Sequence, residues 1–274
     1  MSPPPDPAPA SETDPIDAAS LLGPGSLAGF EQLAEAASTM DRAREVAADP
    51  TTPLPFAVVA DRQLRGRGRR EAAWWQSPGS LAVSVIVSVG GQPAGPPPAW
   101  SLACGVAVAE AIRTLVPALA AVVRWPNDVE VGGRKLAGIL VETAGTGRVV
   151  FGIGVNTTGS ATDAPGPIAH RVATLPDLVG RSLGREQLLA DLLPRLFALL
   201  AEVGREPTQL VSRYRPLCCL TGKKIRVHVA EAVQEGLCGG ITADGRLILD
   251  MPTGRTLIVS GSLTPPAEVW HGEA

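Results

Sequence analysis

The strongly apolar residues of this chain come in short runs bounded by serine, glycine or charged residues. Leu81 to Val89 (LAVSVIVSV) is nine residues long and is broken by Ser84 and Ser88. That is far short of the ~20 residues needed to cross a bilayer, so no membrane span is expected and the run reads as a buried strand. Pro55 to Gln63 reads the same way, as do Ala121 to Arg124, Lys135 to Thr143 and Val149 to Val155, which glycine-containing turns separate. Trp100 to Val116 is small and apolar with few charges, as expected for a helix packed closely on a sheet, and it follows a turn-rich GGQPAGPPPA loop. Arg185 to Val203 carries leucines at helical spacing, with Pro194 a point of kinking.

After Tyr214 the texture changes to closely spaced segments, KKIRVHV, LCGGI, GRLILDM and TGRTLIVSG, divided by Gly or Asp-Gly signals. This is the pattern of a small β-barrel or β-sandwich. Two folded units are therefore expected, over residues 27–219 and 220–274, preceded by an unordered Pro-rich tail at 1–26. Folding should begin near Phe30. From there to Ala48 the residues favour helix by propensity, with a break at Ser38, where Ser38-Thr39 followed by Asp41 resembles an N-cap that starts a new helix near Met40.

With 274 residues, 45% of them hydrophobic, the chain is long enough to bury a real core. Its net charge of −3 argues against a protein that chiefly neutralises nucleic-acid phosphates or coats an anionic membrane. The N-terminus lacks the basic start and apolar core of a signal peptide, so the expected compartment is the cytoplasm. Cys104, Cys218, Cys219 and Cys238 lack C-x-x-C spacing and read as structural thiols. His170, His228 and His271 have no acidic or cysteine neighbours at ligand spacing.

Three segments carry chemistry. Arg62 to Arg70 (RQLRGRGRR) holds five arginines and two glycines in nine residues. Its glycines admit close backbone approach to a ligand, and its guanidiniums suit phosphate or carboxylate; a solvated basic turn is the plain alternative. In the second, Arg124-Trp125-Pro126-Asn127-Asp128 places Asp128 on a turn, and the chain returns to bring Lys135 onto the next strand. An Asp and a Lys so placed serve as magnesium ligand and anion-attracting charge, or simply as an ion pair on a hairpin. In the third, Phe151-Gly152-Ile153-Gly154-Val155-Asn156, alternate glycines leave one face of a strand bare for a flat ligand or another backbone. No Walker A sequence or full dinucleotide fingerprint occurs.

In this order, over residues 30–262, the segments resemble the biotin protein ligase family, whose pattern reads S-T-N, Q-T-A-G-R-G-R-R-G, W-x-S-P, K-W-P-N-D, K-L-A-G-I-L-x-E and G-I-G-x-N. The matching residues are Ser38-Thr39-Met40, Gln63 to Arg70, Trp75-Gln76-Ser77-Pro78, Arg124 to Asp128, Lys135 to Glu142 and Gly152 to Asn156. Departures are Met40 for Asn, Leu64-Arg65 for Thr-Ala, Glu71 for Gly, and a shortened segment before the Leu81 strand.

The resemblance implies an α/β (α+β) fold, with a mixed-sheet catalytic domain and a small C-terminal SH3-like β-barrel. It also makes Phe30 to Ala36 a strand rather than a helix. The implied activity joins biotin to AMP at the expense of ATP with Mg²⁺, then passes biotin to a lysine of a biotin carboxyl carrier domain. In that reading Ser38, Thr39, Met40, Gln63, Gly66, Arg67, Gly68, Arg69, Lys135 and Gly138 bind biotin. Lys135, Arg67 and Arg69 are catalytic. Arg70, Arg124, Asn127 and Asn156 hold the nucleotide, and Asp128 holds the metal. No nucleic-acid partner is expected, because the Pro-rich residues before Phe30 cannot form a winged helix-turn-helix; a homodimer stays open. The alternatives are a lipoate ligase and a homologue that binds biotin without turnover.

Overall fold

The structure, a computed structural model, describes residues 16–89, 98–145 and 147–264; the tail at 1–15, most of the Gly/Pro-rich loop and the segment holding His271 lie outside them. Helix α1 (Ala18–Leu21) precedes strand β1 (Gly29–Ala36), helix α2 (Thr39–Ala48), and strands β2 (Phe56–Gln63) and β3 (Leu81–Ser88). Helix α3 (Pro98–Leu115) leads to β4 (Val122–Arg124), β5 (Asp128–Val131), β6 (Arg134–Thr143) and β7 (Arg148–Val155). Helices α4 (Gly166–Ala169), α5 (Leu175–Val179), α6 (Arg185–Arg205) and α7 (Thr208–Tyr214) follow. Strands β8 (Lys224–Val229), β9 (Ala232–Ile241), β10 (Leu247–Met251), β11 (Gly254–Ile258) and β12 (Ser262–Leu263) complete the described residues.

Strands β1 to β7 form one mixed sheet in the order β1-β2-β3-β7-β6-β5-β4, with β1 parallel to β2 and the other neighbours antiparallel. Its central strands are buried on both faces, which explains their nearly continuous apolar sequence. Ala57, Val59, Val83 and Val85 face the main core with α3 and α6, while Val58, Ile86 and Val150 face α2 through Met40, Ala43 and Ala47. The small residues of α3 let it lie close to the sheet: a methyl group on Gly105 would stand 3.3 Å from Val123 Cγ1. Strands β8 to β12 form a second, antiparallel sheet ordered β11-β10-β9-β8-β12.

Three expectations from local sequence are corrected. Residues 29–36 are strand, not helix, because in-register pairing from Gly29↔Phe56 to Ala36↔Gln63 outweighs the propensity of Ala, Glu and Leu. The break at Ser38 is real: its side chain accepts the Met40 N–H and caps α2. Residues 16–26 are structured, since Ile16, Leu21 and Leu27 are buried, Asp17 caps α1, and Glu186 of α6 accepts the Asp17 N–H and the Ser20 hydroxyl. Asp128 opens strand β5, opposite Arg124 and Gly138, and the turn is confined to Trp125–Asn127.

Two buried arginines fix the elements that carry the site. Arg148 donates to the carbonyls of Ala47, Asp49, Pro50 and Thr52 and so anchors the end of α2. Arg185 on α6 meets Asp61 at 2.6 Å, and Asp61 also accepts from Gln32, tying β1, β2 and α6 together.

Candidate active site

Sheet register creates the site. Across β5, β6, β7 and β3, Asp128 pairs with Gly138, Gly138 with Gly154, and Gly154 with Ala82. One face of the sheet therefore carries a row of minimal side chains ending in a carboxylate. In the neighbouring row Leu140, Gly152 and Ser84 align. Helix α2 covers one part of this face, and the rest is the floor of a cleft of ≈720 Å³.

The Arg/Gly segment forms the cleft's lid. Gly68 N–H bonds to Ala72 O at 2.7 Å and Trp74 N–H to Gly66 O at 2.9 Å, so the segment folds back as a hairpin. This turns the Trp74 indole onto the glycine row, where a methyl group on Gly154 would stand 2.6 Å, and one on Gly138 2.9 Å, from its ring. Met40 packs on Gly152 in the same way. The absence of side chains at these three glycines is thus what lets Trp74 and Met40 lie directly on the sheet.

At one end of the groove lies a polar network. The Thr39 N–H and hydroxyl both donate to Gln63 Oε1, Ser84 donates to Thr39 Oγ1 at 2.8 Å, and Gln63 Nε2 donates to Gln76 Oε1. These fixed amide and hydroxyl groups suit a small polar head such as a cyclic urea. Arg67 borders this end, with Nη2 held by Asp41 at 2.8 Å.

Charges gather at the middle. Lys135 Nζ stands 2.6 Å from Asp128 Oδ1 and 5.2 Å from the Trp74 ring centroid. Arg69 donates to Asn127 Oδ1 at 3.4 Å, Gly261 O at 3.2 Å and Ser260 Oγ at 3.3 Å. Burial lowers its pKa, Arg70 adds to that, and Asp128 opposes it. Arg124 donates to Glu130 Oε1 and to Thr264 O. Burial raises the pKa of Glu130, against the pull of Arg124. The second sheet therefore closes this end, with Ser262 and Leu263 in the cleft wall.

Asn156 lies at the far end. Its Nδ2 donates to Ala173 O, while Oδ1 is buried without a hydrogen-bond partner among the described residues, an acceptor suited to an amino group of a ligand. Among the described residues no group of three His, Cys, Asp or Glu side chains could hold a metal ion by itself. Asp128, with Glu130 two residues along the same strand face, fits the way Mg²⁺ is held by one or two carboxylates together with substrate phosphates.

Most of the expected residues meet in this cleft: Ser38, Thr39, Met40, Gln63, Arg67, Gly68, Arg69, Arg124, Asn127, Asp128, Lys135, Gly138 and Asn156 all line it. Gly66 and Arg70 do not. Gly66 packs under Trp74, and Arg70 is exposed at a positive φ of 54°. Trp74 and Glu130 went unassigned from sequence; Trp74 neighbours the W-x-S-P element, and the i,i+2 spacing of Asp128 and Glu130 was the available signal for the other.

The profile of the Biotin/lipoate A/B protein ligase family matches residues 35–157. A biotin–[acetyl-CoA-carboxylase] ligase of Mycobacterium tuberculosis is 33% identical over 250 residues, covering 88% of this chain and 90% of that protein. One of Paracoccus denitrificans is 32% identical over 225 residues, with 78% and 90% covered. In fold, the chain is similar to a biotin protein ligase from Aquifex aeolicus solved in complex with biotin and ATP, with a TM-score of 0.73 at 24% identity, over 87% of this chain and 98% of the other. The chain belongs to the biotin protein ligase family.

Proposed function

We propose that this protein activates biotin with ATP and transfers it to a lysine of a biotin carboxyl carrier domain. The observation that carries the reading is the meeting of Lys135, Asp128 and Arg69 between a flat glycine-floored groove and the buried acceptor of Asn156. Biotin's ureido head meets the Thr39–Gln63 network, and its carboxylate reaches Lys135. ATP lies with its α-phosphate at Lys135 and Arg69 and its adenine towards Asn156, while Arg124 and Asn127 order the phosphate end.

In the first step a biotin carboxylate oxygen attacks the α-phosphorus and pyrophosphate leaves, giving biotinyl-5′-AMP. Two anions must approach each other, so positioning and fixed positive charge supply most of the rate. Asp128 would hold Mg²⁺ together with the phosphates, and the ion would supply charge neutralisation at the leaving group. In the second step the neutral amine of the carrier lysine attacks the acyl carbon and AMP leaves. The Arg/Gly hairpin and Trp74 cover the adenylate and keep water from it before the carrier arrives. In this reading residues 27–219 supply the chemistry, and the sheet of β8 to β12 borders it. None of the described helices is long and apolar enough to cross a membrane.

The test is label transfer. The protein is incubated with MgATP, radiolabelled biotin and an apo carrier domain, beside a lipoate control. Label on the carrier lysine is expected. Transfer of lipoate alone would place the protein with the lipoate ligases, and biotin binding without transfer would make it a binding protein.

A further inference from the structure

On the α2 side of the cleft, two carboxylates that the reaction above leaves idle gather around Arg67. Asp41 lies in the first turn of α2, and Glu142 stands near the end of β6, opposite Val150 of β7. Arg67 Nη2 is 2.8 Å from Asp41 Oδ1 and 3.9 Å from Glu142 Oε2. Arg44, one helical turn on from Asp41, meets Asp41 Oδ1 at 3.3 Å through Nη1 and Glu142 through Nη2. Two carboxylates from different elements and two guanidiniums thus form one cluster, whose inner members Arg67 and Glu142 are only 19% and 22% exposed. Because Arg44 bonds to both carboxylates, it offsets their mutual repulsion and lets both face Arg67.

The hairpin that carries Arg67 is held at three places. At its base the Leu64 and Arg65 N–H groups donate to Ala36 O and Ala37 O, at the end of β1. At its far end Arg69 donates to Asn127, Ser260 and Gly261. Between the two, Arg67 bridges to Ala73 on the returning arm, and its side chain reaches across to α2 and β6. This middle anchor stands at the head end of the groove, near Thr39 and Gln63, and it depends on charge. Gly66 and Gly68 flank Arg67 and leave the backbone there conformationally free, so a side-chain anchor has to supply the order.

We infer that Asp41 and Glu142 are positioning residues that act through Arg67: they latch the middle of the hairpin over the head end of the groove and set how long biotin stays bound, without taking part in adenylation. The inference rests on the biotin ligase reading of the cleft. Neutralising either carboxylate leaves Lys135, Asp128 and Arg69 in place at the reacting end, so bound substrate reacts as before but escapes sooner. The signature is faster dissociation and a higher KM for biotin with kcat preserved, a split that a general loss of folding does not produce.

The experiment compares the full-length protein with Asp41→Asn, Glu142→Gln, the double variant and Glu35→Gln. Glu35 pairs with Arg62 at 3.1 Å, ahead of the hairpin, so its variant controls for the loss of a nearby charge alone. Stopped-flow displacement of labelled biotin should show dissociation about three- to tenfold faster in each single latch variant and faster still in the double one. Pyrophosphate release at saturating biotin should stay within about twofold of wild type while KM for biotin rises with the dissociation rate. Glu35→Gln should match wild type in both. Glu142 lies on a strand, so Glu142→Gln reports on the latch even where Asp41→Asn weakens the first turn of α2. Unchanged dissociation in the double variant, a loss of kcat as large as the rise in KM, or an equal effect in Glu35→Gln would overturn the inference while leaving the ligase reading intact. A wild-type protein that does not bind biotin would overturn that reading and the latch with it.

Discussion

Replacing Lys135 by alanine removes one positive charge from the middle of the cleft, and its effects on stability and on chemistry should differ widely. The Lys135–Asp128 pair, at 2.6 Å, has side chains 33% and 25% exposed, so it is partly hydrated. Such a pair contributes about 0–1 kcal/mol to folding, and the contact with Trp74 adds about 0.5–1 kcal/mol. Urea unfolding should therefore shift by less than about 2 kcal/mol. In the reaction, the same ammonium lies about 4 Å from two anions that must meet; at an effective dielectric of 20 each attraction amounts to about 4 kcal/mol. Arg69 retains part of that field, which leaves a fall of about 10²–10³ in kcat/KM for adenylate formation. Pyrophosphate release measures it directly. Supplying preformed biotinyl-5′-AMP bypasses the step and should restore carrier labelling to within about tenfold of wild type. A variant that folds normally and forms adenylate within about fivefold of wild type would refute the assignment of Lys135 to the attacking and attacked anions.

Gly154→Ala should leave urea stability within about 1 kcal/mol, because the atom it meets at 2.6 Å belongs to a movable indole, yet cost about tenfold or more in biotin affinity by calorimetry; an unchanged Kd would mean the groove is not the biotin site. Arg148→Met strips four carbonyls at the end of α2 of their donor and should cost about 3 kcal/mol in urea unfolding, and a loss under about 1 kcal/mol would show that water replaces it. The Ala161 N–H, then the Ser160 and Thr174 hydroxyls and the charge of Arg134, hold the Asp177 carboxyl below its usual value of 3.8. A depressed folded-state pKa contributes stability above the unfolded value and loses it as pH falls through the folded one. The small stability gap between wild type and Asp177→Asn should therefore be present at pH 6 and close as the pH falls from 3.8 through the lower folded-state value; a gap that persists in acid would assign it to packing.

Local sequence was a good guide where a segment's surroundings are uniform. The β3 run is buried on both faces, so its apolar composition alone marks a strand, and the leucine spacing of α6 marks a helix packed on one side. It misled where the deciding partner is distant. Residues 29–36 look helical until β2 is placed beside them, and Ile16 and Leu21 look idle until the rest of the core exists to receive them. Strand β5 has four residues, two of them acidic, and its identity comes from β4 and β6 on either side. The site follows the same division. The charged residues and the alternate glycines stand out in the sequence, because few structural duties call for them together. Trp74 does not, since its role depends on a hairpin folding back over glycines that are distant in sequence, Gly138 and Gly154.

The same register also explains why the site needs both sheets. The glycine row shapes a groove that ends at Asp128, where the first sheet offers Arg69 a 3.4 Å bond to Asn127 Oδ1. Its guanidinium is held further by Gly261 O and Ser260 Oγ at the turn into β12, and Arg124 is fixed in part by Thr264 O just beyond. Trp125, at the turn before Asp128, donates its indole N–H to Gly245 O of the second sheet. The cations that would draw two anions together are thus oriented from both sheets, Arg69 by Asn127 Oδ1, Ser260 Oγ and Gly261 O, and Arg124 by Glu130 Oε1 and Thr264 O. An arginine on a glycine-rich hairpin would otherwise lose much of its positioning to chain entropy. The second sheet restores it, so the flexibility that lets the hairpin admit a substrate and the precision that adenylation requires reside in different parts of the chain.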